Sequence, residues 1–454
     1  MATKSRPSLE SCSEARPIGE ENDDVFSELP EEILMSVMCL FTMKEAARFS
    51  LVSRQCEVIW RYFPVLIFED NQVNFDNYDA LVEKKACFVW RVDRIIEKHL
   101  GTNIDELRIT CDLEPSWQSY VDKWVGFALD KHVKRLELNF SPISRKLRVP
   151  DDRIYRFYAY PRDLPPKLFT TTTSTTGCFK SCFLTSLCLR FVNVNDEFVD
   201  FLPRTCPLLE MLCIQGSSRL TRVTGCLELK QLEVSHCKNL KKIDVTARKL
   251  QSLTLNIMHP VELLRIVDAP SLVEMSIGEA YTFLYLFNYY LEDIFSQLVY
   301  LNLRIELGGV PFGLGGMIMM KGVAMPKLEH LQLQVFNAMA YSSLRGCIFV
   351  IATTPSLQKL TLKLEEFIIN EKGYNRKLNK WVGYGFPIKC LTTLEIVGYR
   401  GELVDLELAF FVLENASMLE EIILDFAPLD DNHKQQRLQM LQTKLPQDVK
   451  LIVK

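Results

Sequence analysis

The sequence is poor in residues that metal and nucleophile chemistry need in close array. Its 6 histidines, at 99, 132, 236, 259, 330 and 433, never fall within ligand spacing of one another. There is no His-Glu-x-x-His and no Cys-x-x-Cys pair, and Cys178 with Cys182 has no matching second pair, so no metal site is expected. Gly313, Gly315 and Gly316 lack the Gly-Lys-Ser/Thr ending of a phosphate loop. Neither catalytic residues nor cofactors are expected, and the chain reads as a non-enzyme. An excess of one charge is also missing: 53 Lys and Arg against 57 Asp and Glu give a net charge of -4, which makes no case for a nucleic-acid partner. No stretch approaches the ~20 uninterrupted apolar residues of a membrane span. Residues 1 to 24 are polar and acidic, without the apolar run of a signal peptide. They are expected to be a disordered leader of an intracellular protein, in the nucleus, the cytoplasm or both. The 14 cysteines then read as reduced thiols at core or repeat positions.

What the chain has in quantity is one spacing, apolar-x-x-apolar-x-apolar. Twelve copies run from Ile104-Leu107-Ile109 and Val133-Leu136-Leu138 to Leu391-Leu394-Ile396 and Leu419-Ile422-Leu424. Their mean period of about 26 residues lies in the leucine-rich-repeat range. The gap from Leu136 to Leu187 is about double that period and reads as a degenerate unit inside a long insertion. In each triplet the last two apolar residues are two apart, so on a strand they enter the core together while the intervening residues face away. A lone unit cannot bury such a stripe, whereas stacked units cover one another and line up parallel strands into a concave wall. Cys237, in Leu232-x-Val234-x-x-Cys237-x-x-Leu240, sits where such repeats place Asn or Cys.

The outward positions of that wall follow from the spacing. They include Arg135, Glu137, Arg190, Gln231, Glu233, Asn256, Glu274, Asn302, Gln334, Thr361 and Glu395, a mixed polar surface suited to a protein partner. Arg304, His330, Lys359 and Lys363 are expected to form a weakly basic patch and, with Gln332, are the candidate target-binding residues. Thr170 to Thr176 and Gly308 to Gly322 break the rhythm and read as surface excursions.

From 25 to about 62 the period becomes helical. Ile33, Leu34, Val37, Met38 and Phe41 form one stripe, opened by Pro30 with Glu31 and Glu32. Thr42 with Glu45 is a capping box for a second helix, and a third runs from Arg54 to Tyr62. Three small helices bury little by themselves, which points their apolar face at another protein.

Leu29-Pro30-Glu31-Glu32-Ile33-Leu34, Lys44-Glu45-Ala46, Leu51-Val52-Ser53-Arg54 and Trp60 together resemble an F-box. Thr42 stands where proline is usual in plant F-boxes, and Cys56 where tryptophan is usual. Trp124-Val125 leading to Val133 through Leu138, Leu164 through Phe169, and Cys206 through Glu210 are similar to stretches of plant F-box proteins with leucine-rich repeats. Leu394-Glu395-Ile396-x-Gly398-Tyr399-x-Gly401 and Leu413-Glu414-Asn415-Ala416-x-x-Leu419-Glu420 resemble the FBD domain that ends many of them. In that stretch Leu403, Leu406, Phe410 and Leu413 lie on one helical face, followed by a strand from Leu419.

The resemblance implies an α/β chain of the F-box/FBD/LRR-repeat family. Residues 25–65 would be a three-helix F-box, 104–385 a curved leucine-rich-repeat solenoid with parallel strands, and 386–454 an FBD helix-strand cap. It also implies a substrate-recognition subunit of a cullin-based, SCF-type ubiquitin ligase, whose Leu29, Pro30, Ile33, Leu34, Val37, Met38, Leu51 and Trp60 dock on a SKP-type adaptor while the repeats hold a target protein. The other readings are a repeat scaffold without a ligase and a small-molecule-dependent receptor.

Overall fold

A computed structural model describes residues 29–70, 78–113, 115–141, 162–164, 167–172, 179–257, 261–278, 291–306, 324–336, 350–365, 387–401, 403–427, 435, 438–439 and 441–454. The acidic leader and the Gly308 to Gly322 stretch lie outside these residues, as does most of the Thr170 to Thr176 tract. Two compact units emerge, residues 1–63 and 64–454.

The first unit holds three short helices, α1 (Glu31–Met38), α2 (Met43–Phe49) and α3 (Arg54–Trp60). Glu31 and Glu32 place two carboxylates in the first turn of α1, where the helix dipole favours them. Pro30 sits one residue earlier than the first helical position, as the N-cap. At α2 the Thr42 N–H donates to Glu45 Oε2 at 2.9 Å and the Glu45 N–H donates to Thr42 Oγ1 at 3.3 Å. A proline at 42 would have neither the hydroxyl nor the N–H, so this departure from the plant pattern is a working helix cap. Ser53 caps α3 by accepting from the Cys56 N–H, and Gln55 Nε2 donates back to the Leu29 carbonyl at 3.1 Å. Leu34, Met38, Ala46, Cys56, Ile59 and Phe63 form the buried core of the unit.

The second unit is organised by strands. They are β1 (Val65–Glu69), β2 (Glu106–Thr110), β3 (Arg135–Asn139), β4 (Arg162–Asp163), β5 (Ser186–Arg190), β6 (Val192–Asn193), β7 (Met211–Gln215), β8 (Arg222–Cys226), β9 (Gln231–Ser235) and β10 (Lys242–Thr246). There follow β11 (Ser252–Asn256), β12 (Leu263–Val267), β13 (Glu274–Gly278), β14 (Tyr300–Glu306), β15 (His330–Phe336), β16 (Lys359–Leu364), β17 (Thr393–Tyr399), β18 (Glu421–Phe426) and β19 (Lys450–Val453). Fourteen of them make one sheet in the order β1-β2-β3-β5-β7-β9-β11-β13-β14-β15-β16-β17-β18-β19, and every neighbouring pair is parallel.

The twelve leucine triplets fall in register. Leu107 lies opposite Leu136, Leu136 opposite Leu187, and the column continues through Leu212, Leu232 and Leu253 to Ile422. Nearly all these side chains are fully buried, and each is worth roughly 1.5–3 kcal/mol of burial. The sheet also begins earlier than the triplets predict, because Phe63-x-x-Leu66-x-Phe68 is an aromatic version of the same spacing and β1 pairs with β2. The long gap holds no degenerate strand of this sheet. β3 pairs directly with β5, and between them the described residues show β4, which pairs with β6, the one-turn helix Lys167–Thr170, an antiparallel bridge from Thr172 to Phe179 and the 3-10 helix Lys180–Phe183.

The corners recur too. Phe191, Gly216 and His236, each immediately after a strand, have φ of 55°, 75° and 54°. Each donates its N–H to the last residue of the next strand, Gln215, Ser235 and Asn256. Behind the sheet, helices such as Gln118–Asp130 and Asp196–Thr205 make some of the return segments. Three returns are strands instead, and β8, β10 and β12 form a second parallel sheet. Leu212, Leu232, Leu253 and Met275 are only 20, 21 and 22 residues apart. An extended segment rises about 3.3 Å per residue against 1.5 Å for a helix, so a short return favours a strand.

At the C-terminal end, β17 to β19 continue the same sheet. The helix Leu403–Asn415 is buried on more than the expected face, with Leu408, Ala409, Phe411 and Val412 as well as Leu406 shielded, while Phe410 and Leu413 are half-buried. Gly398 forms a bulge against β18 at φ 79°, and a Cβ there would lie 2.5 Å from the Leu364 carbonyl oxygen. Two and three residues on, the Arg400 N–H and the Gly401 N–H both donate to Asp405 Oδ2, at 2.7 and 2.9 Å. Tyr399, between Gly398 and Arg400, is fully buried, its ring edge-on to Phe426.

Two stability predictions follow from this packing. Gly398→Ala should lower the stability of the solenoid by about 1–3 kcal/mol in denaturant unfolding, through backbone strain at positive φ and the clash with Leu364. Cys56→Trp, which restores the usual plant residue, should cost the helical unit about 1–3 kcal/mol by overpacking; circular dichroism melts of the two chains check this.

Candidate functional site

Two surfaces carry the residues singled out in the sequence. In the helical unit, the stripe divides between core and solvent. Leu34 and Met38, expected at an adaptor surface, are 0% exposed, because they point inward one turn apart and hold α1 to the rest of the unit. Ile33 is half exposed, Pro30 is exposed, and Leu29, Val37 and Trp60 are half-buried, Trp60 stacking on Phe63 at 5.3 Å. Leu51 is 84% exposed. Three further apolar side chains stand in water beside those predicted: Leu40, also 84% exposed, with Val52 and Val58 about half exposed. The sequence does not mark Leu40 and Val52 as surface contacts because they lie in the turns after α1 and α2, where no helical period applies.

The wall of the second unit is a connected polar surface rather than a row of independent side chains. At its N-terminal end Arg108 bridges Glu106 at 2.9 Å and Glu137 at 3.1 Å, and Arg135 also reaches Glu106. Over β13 to β15 the central positions are uncharged. Asn302 Nδ2 donates to Ser276 Oγ at 3.5 Å and Gln332 Nε2 donates to Asn302 Oδ1 at 3.2 Å. Packing against neighbouring strands leaves Gln332 and Thr361 buried, although both point to the wall face.

The expected basic patch is altered by its surroundings. Lys359 Nζ sits 2.8 Å from Glu395, and Lys454, immediately after the last strand, reaches the same carboxylate at 2.9 Å. His330 makes a 3.0 Å hydrogen bond with Thr361 Oγ1, whose hydroxyl donates onward to Glu395 Oε2 at 3.5 Å. Tyr300 meets the imidazole edge-on. Burial, with Lys359 and Lys363 nearby, holds the His330 pKa below its ordinary value against the opposing pull of Glu395. His330 is therefore neutral near pH 7, and Lys359 and Lys454 share the one negative charge of Glu395. Among the described residues no group of three or more His, Cys, Asp or Glu could hold a metal, and no helix is long and apolar enough to cross a membrane.

Hydrogen bonds from Lys359, then Lys454, draw the Glu395 pKa down to about 2 from 4.5. A carboxylate depressed in the folded state adds stability that is whole above the unfolded value and disappears as pH falls through the folded one. Glu395→Gln should therefore flatten the loss of solenoid stability between about pH 5 and pH 2, read from thermal midpoints of both chains across that range.

Comparison with known proteins agrees with this geometry. The F-box domain family matches residues 26–68, and the At1g61320/AtMIF1 LRR domain family matches residues 95–450. The FBD-associated F-box protein At5g56440 of Arabidopsis thaliana is 23% identical over 460 aligned positions, covering 92% of this chain and 96% of its own length. The F-box/LRR-repeat protein At3g03360 of the same plant is 23% identical over 374 positions, covering 75% of this chain and 71% of its own. The F-box/FBD/LRR-repeat protein At5g56420, also of Arabidopsis thaliana, is 24% identical and covers 51% of this chain and 49% of its own. The exposed apolar helices, the in-register leucine columns and these matches converge: the chain belongs to the At1g61320/AtMIF1-type leucine-rich-repeat family and, with its F-box domain, to the F-box/FBD/LRR-repeat proteins.

Proposed function

We propose that this protein is a non-catalytic substrate-recognition subunit of a cullin-based ubiquitin ligase. Its helical unit binds a SKP-type adaptor, and the strand wall of the repeats binds a target protein. The observation that carries the reading is the division within the helical unit. Six side chains make a small core of its own, yet Ile33, Leu40, Leu51, Val52 and Val58 remain in water. Apolar side chains left exposed in this number by so small a unit gain most by being covered by a protein partner. Ligase chemistry would belong to the other subunits, with this chain supplying proximity between target and ubiquitin donor.

The residues assigned to adaptor binding shift accordingly. Ile33 and Leu51 act as direct contacts, joined by Pro30 and by Leu40, Val52 and Val58, while Leu34 and Met38 act by holding α1 in place. On the wall, the connected amide and hydroxyl positions of β13 to β16 suit a target that presents backbone and polar side chains. The Glu395 carboxylate within the patch and the neutral His330 weigh against an anionic small molecule there.

Burial of each exposed side chain is worth roughly 1.5–3 kcal/mol, so an Ile33→Asp/Leu51→Asp chain should bind the adaptor about 100-fold more weakly or worse. Isothermal titration with purified adaptor gives the affinity, and an unchanged circular dichroism melt shows that the fold is kept. Equal adaptor affinity for the two chains would remove the proposal. Leu34→Ala, in contrast, should lower the melting temperature of the helical unit.

A further inference from the structure

Cys188 and Cys213 lie directly opposite one another on the adjacent parallel strands β5 and β7. The flanking Leu187 and Leu189, with Leu212 and Ile214, fill the core, so the two-residue period puts both thiols on the wall face. Both are free, Cys188 retaining 5% exposure and Cys213 being fully covered. Adjacent strands run about 4.8 Å apart, inside the roughly 4.4–6.8 Å between Cα atoms that a disulfide spans. Cys237, by comparison, stands in the interior and directs its Sγ to the backbone carbonyls of Ile214 and Ser235.

The surroundings of the pair differentiate its members. A hydrogen bond from Cys213, with the positive charge of Arg190 two residues along β5, holds the Cys188 thiol below its ordinary pKa. The same bond and burial push Cys213 up. The thiolate is thus easier to form at Cys188 than at Cys213, and the Arg190 guanidinium favours it.

We propose that Cys188 and Cys213 are a dithiol modification site on the strand wall, closed to a disulfide by a small hydroperoxide. The Cys188 thiolate attacks one peroxide oxygen and the O–O bond breaks. The departing oxygen takes a proton and leaves as water, and Cys188 becomes a sulfenic acid, oxidised by two electrons. Cys213 Sγ then attacks Cys188 Sγ and the S–O bond breaks. The Cys213 proton leaves with the hydroxyl as a second water. Two thiols and one hydrogen peroxide thereby yield one disulfide and two waters.

The test uses the full-length folded chain and hydrogen peroxide. After treatment the protein is unfolded, its free thiols are labelled with a maleimide, and the digest is mapped by mass spectrometry. Loss of label at both positions, with a linked peptide joining Cys188 to Cys213 that dithiothreitol separates, is the expected result. In Cys213→Ser the sulfenic acid should persist at Cys188 and be trapped by dimedone, while Cys188→Ser should give neither product. Full labelling of both positions at peroxide doses that oxidise the exposed Cys39, Cys87 or Cys390 overturns the proposal. So does a disulfide from Cys188 to any other cysteine. Because mapping of the unmodified sequence decides by itself, a variant that fails to fold leaves the outcome readable.

Discussion

Every repeat of this protein depends on its neighbours through one contact, the sideways stacking of two leucine-type side chains per strand onto the same two positions of the next. Five residues of strand cannot bury their own apolar face, and the parallel register from Leu107 through Leu187 to Ile422 does it by adjacency. The backbone follows the same logic. At Phe191, Gly216 and His236 the corner residue hands its N–H to the end of the next strand, so the turn that closes one unit also positions the following one. Cooperativity between nearest neighbours is the physical result, and it explains why returns can change from helix to strand without breaking the sheet.

That arrangement frees the opposite face of the strands from any duty to the core. Its side chains are held instead by one another. Arg108 stands between two carboxylates, Asn302 links Ser276 to Gln332, and Glu395 gathers Lys359, Lys454 and Thr361. A wall organised in this way presents fixed hydrogen-bonding groups, which favours recognition over loose electrostatic attraction. The helical unit solves a different problem. With about thirty residues in helices and turns it can enclose only a small core, and the apolar side chains left over are those assigned to partner binding.

The C-terminal stretch shows how a family motif can follow from backbone geometry. Gly398 makes room for the Leu364 carbonyl at a bulge, Tyr399 fills the last part of the core, and Gly401 turns the chain so that Asp405 can receive two backbone N–H groups. The strand, glycine and tyrosine pattern is the chemistry of a strand leaving a sheet and entering a helix. Asn415 then closes that helix by donating its amide to the Phe411 carbonyl.

The amino-acid order by itself determined the repeat register, the inward and outward sets of residues, the capping box at Thr42 and the presence of the helical front end. Each of these is written in spacings of two, three or four residues, and local periodicity is what a single sequence displays. Where spacing was ambiguous the tertiary structure decided. It buried Leu34 and Met38 while leaving Ile33 and Leu51 in water, since which of several apolar neighbours turns inward depends on how three helices cross. It placed a carboxylate inside the expected basic patch, because Glu395 of β17, Lys359 of β16 and Lys454, just past β19, are brought together from distant parts of the chain. It also set Cys188 against Cys213, a juxtaposition made by register between repeats, which no stretch of sequence contains.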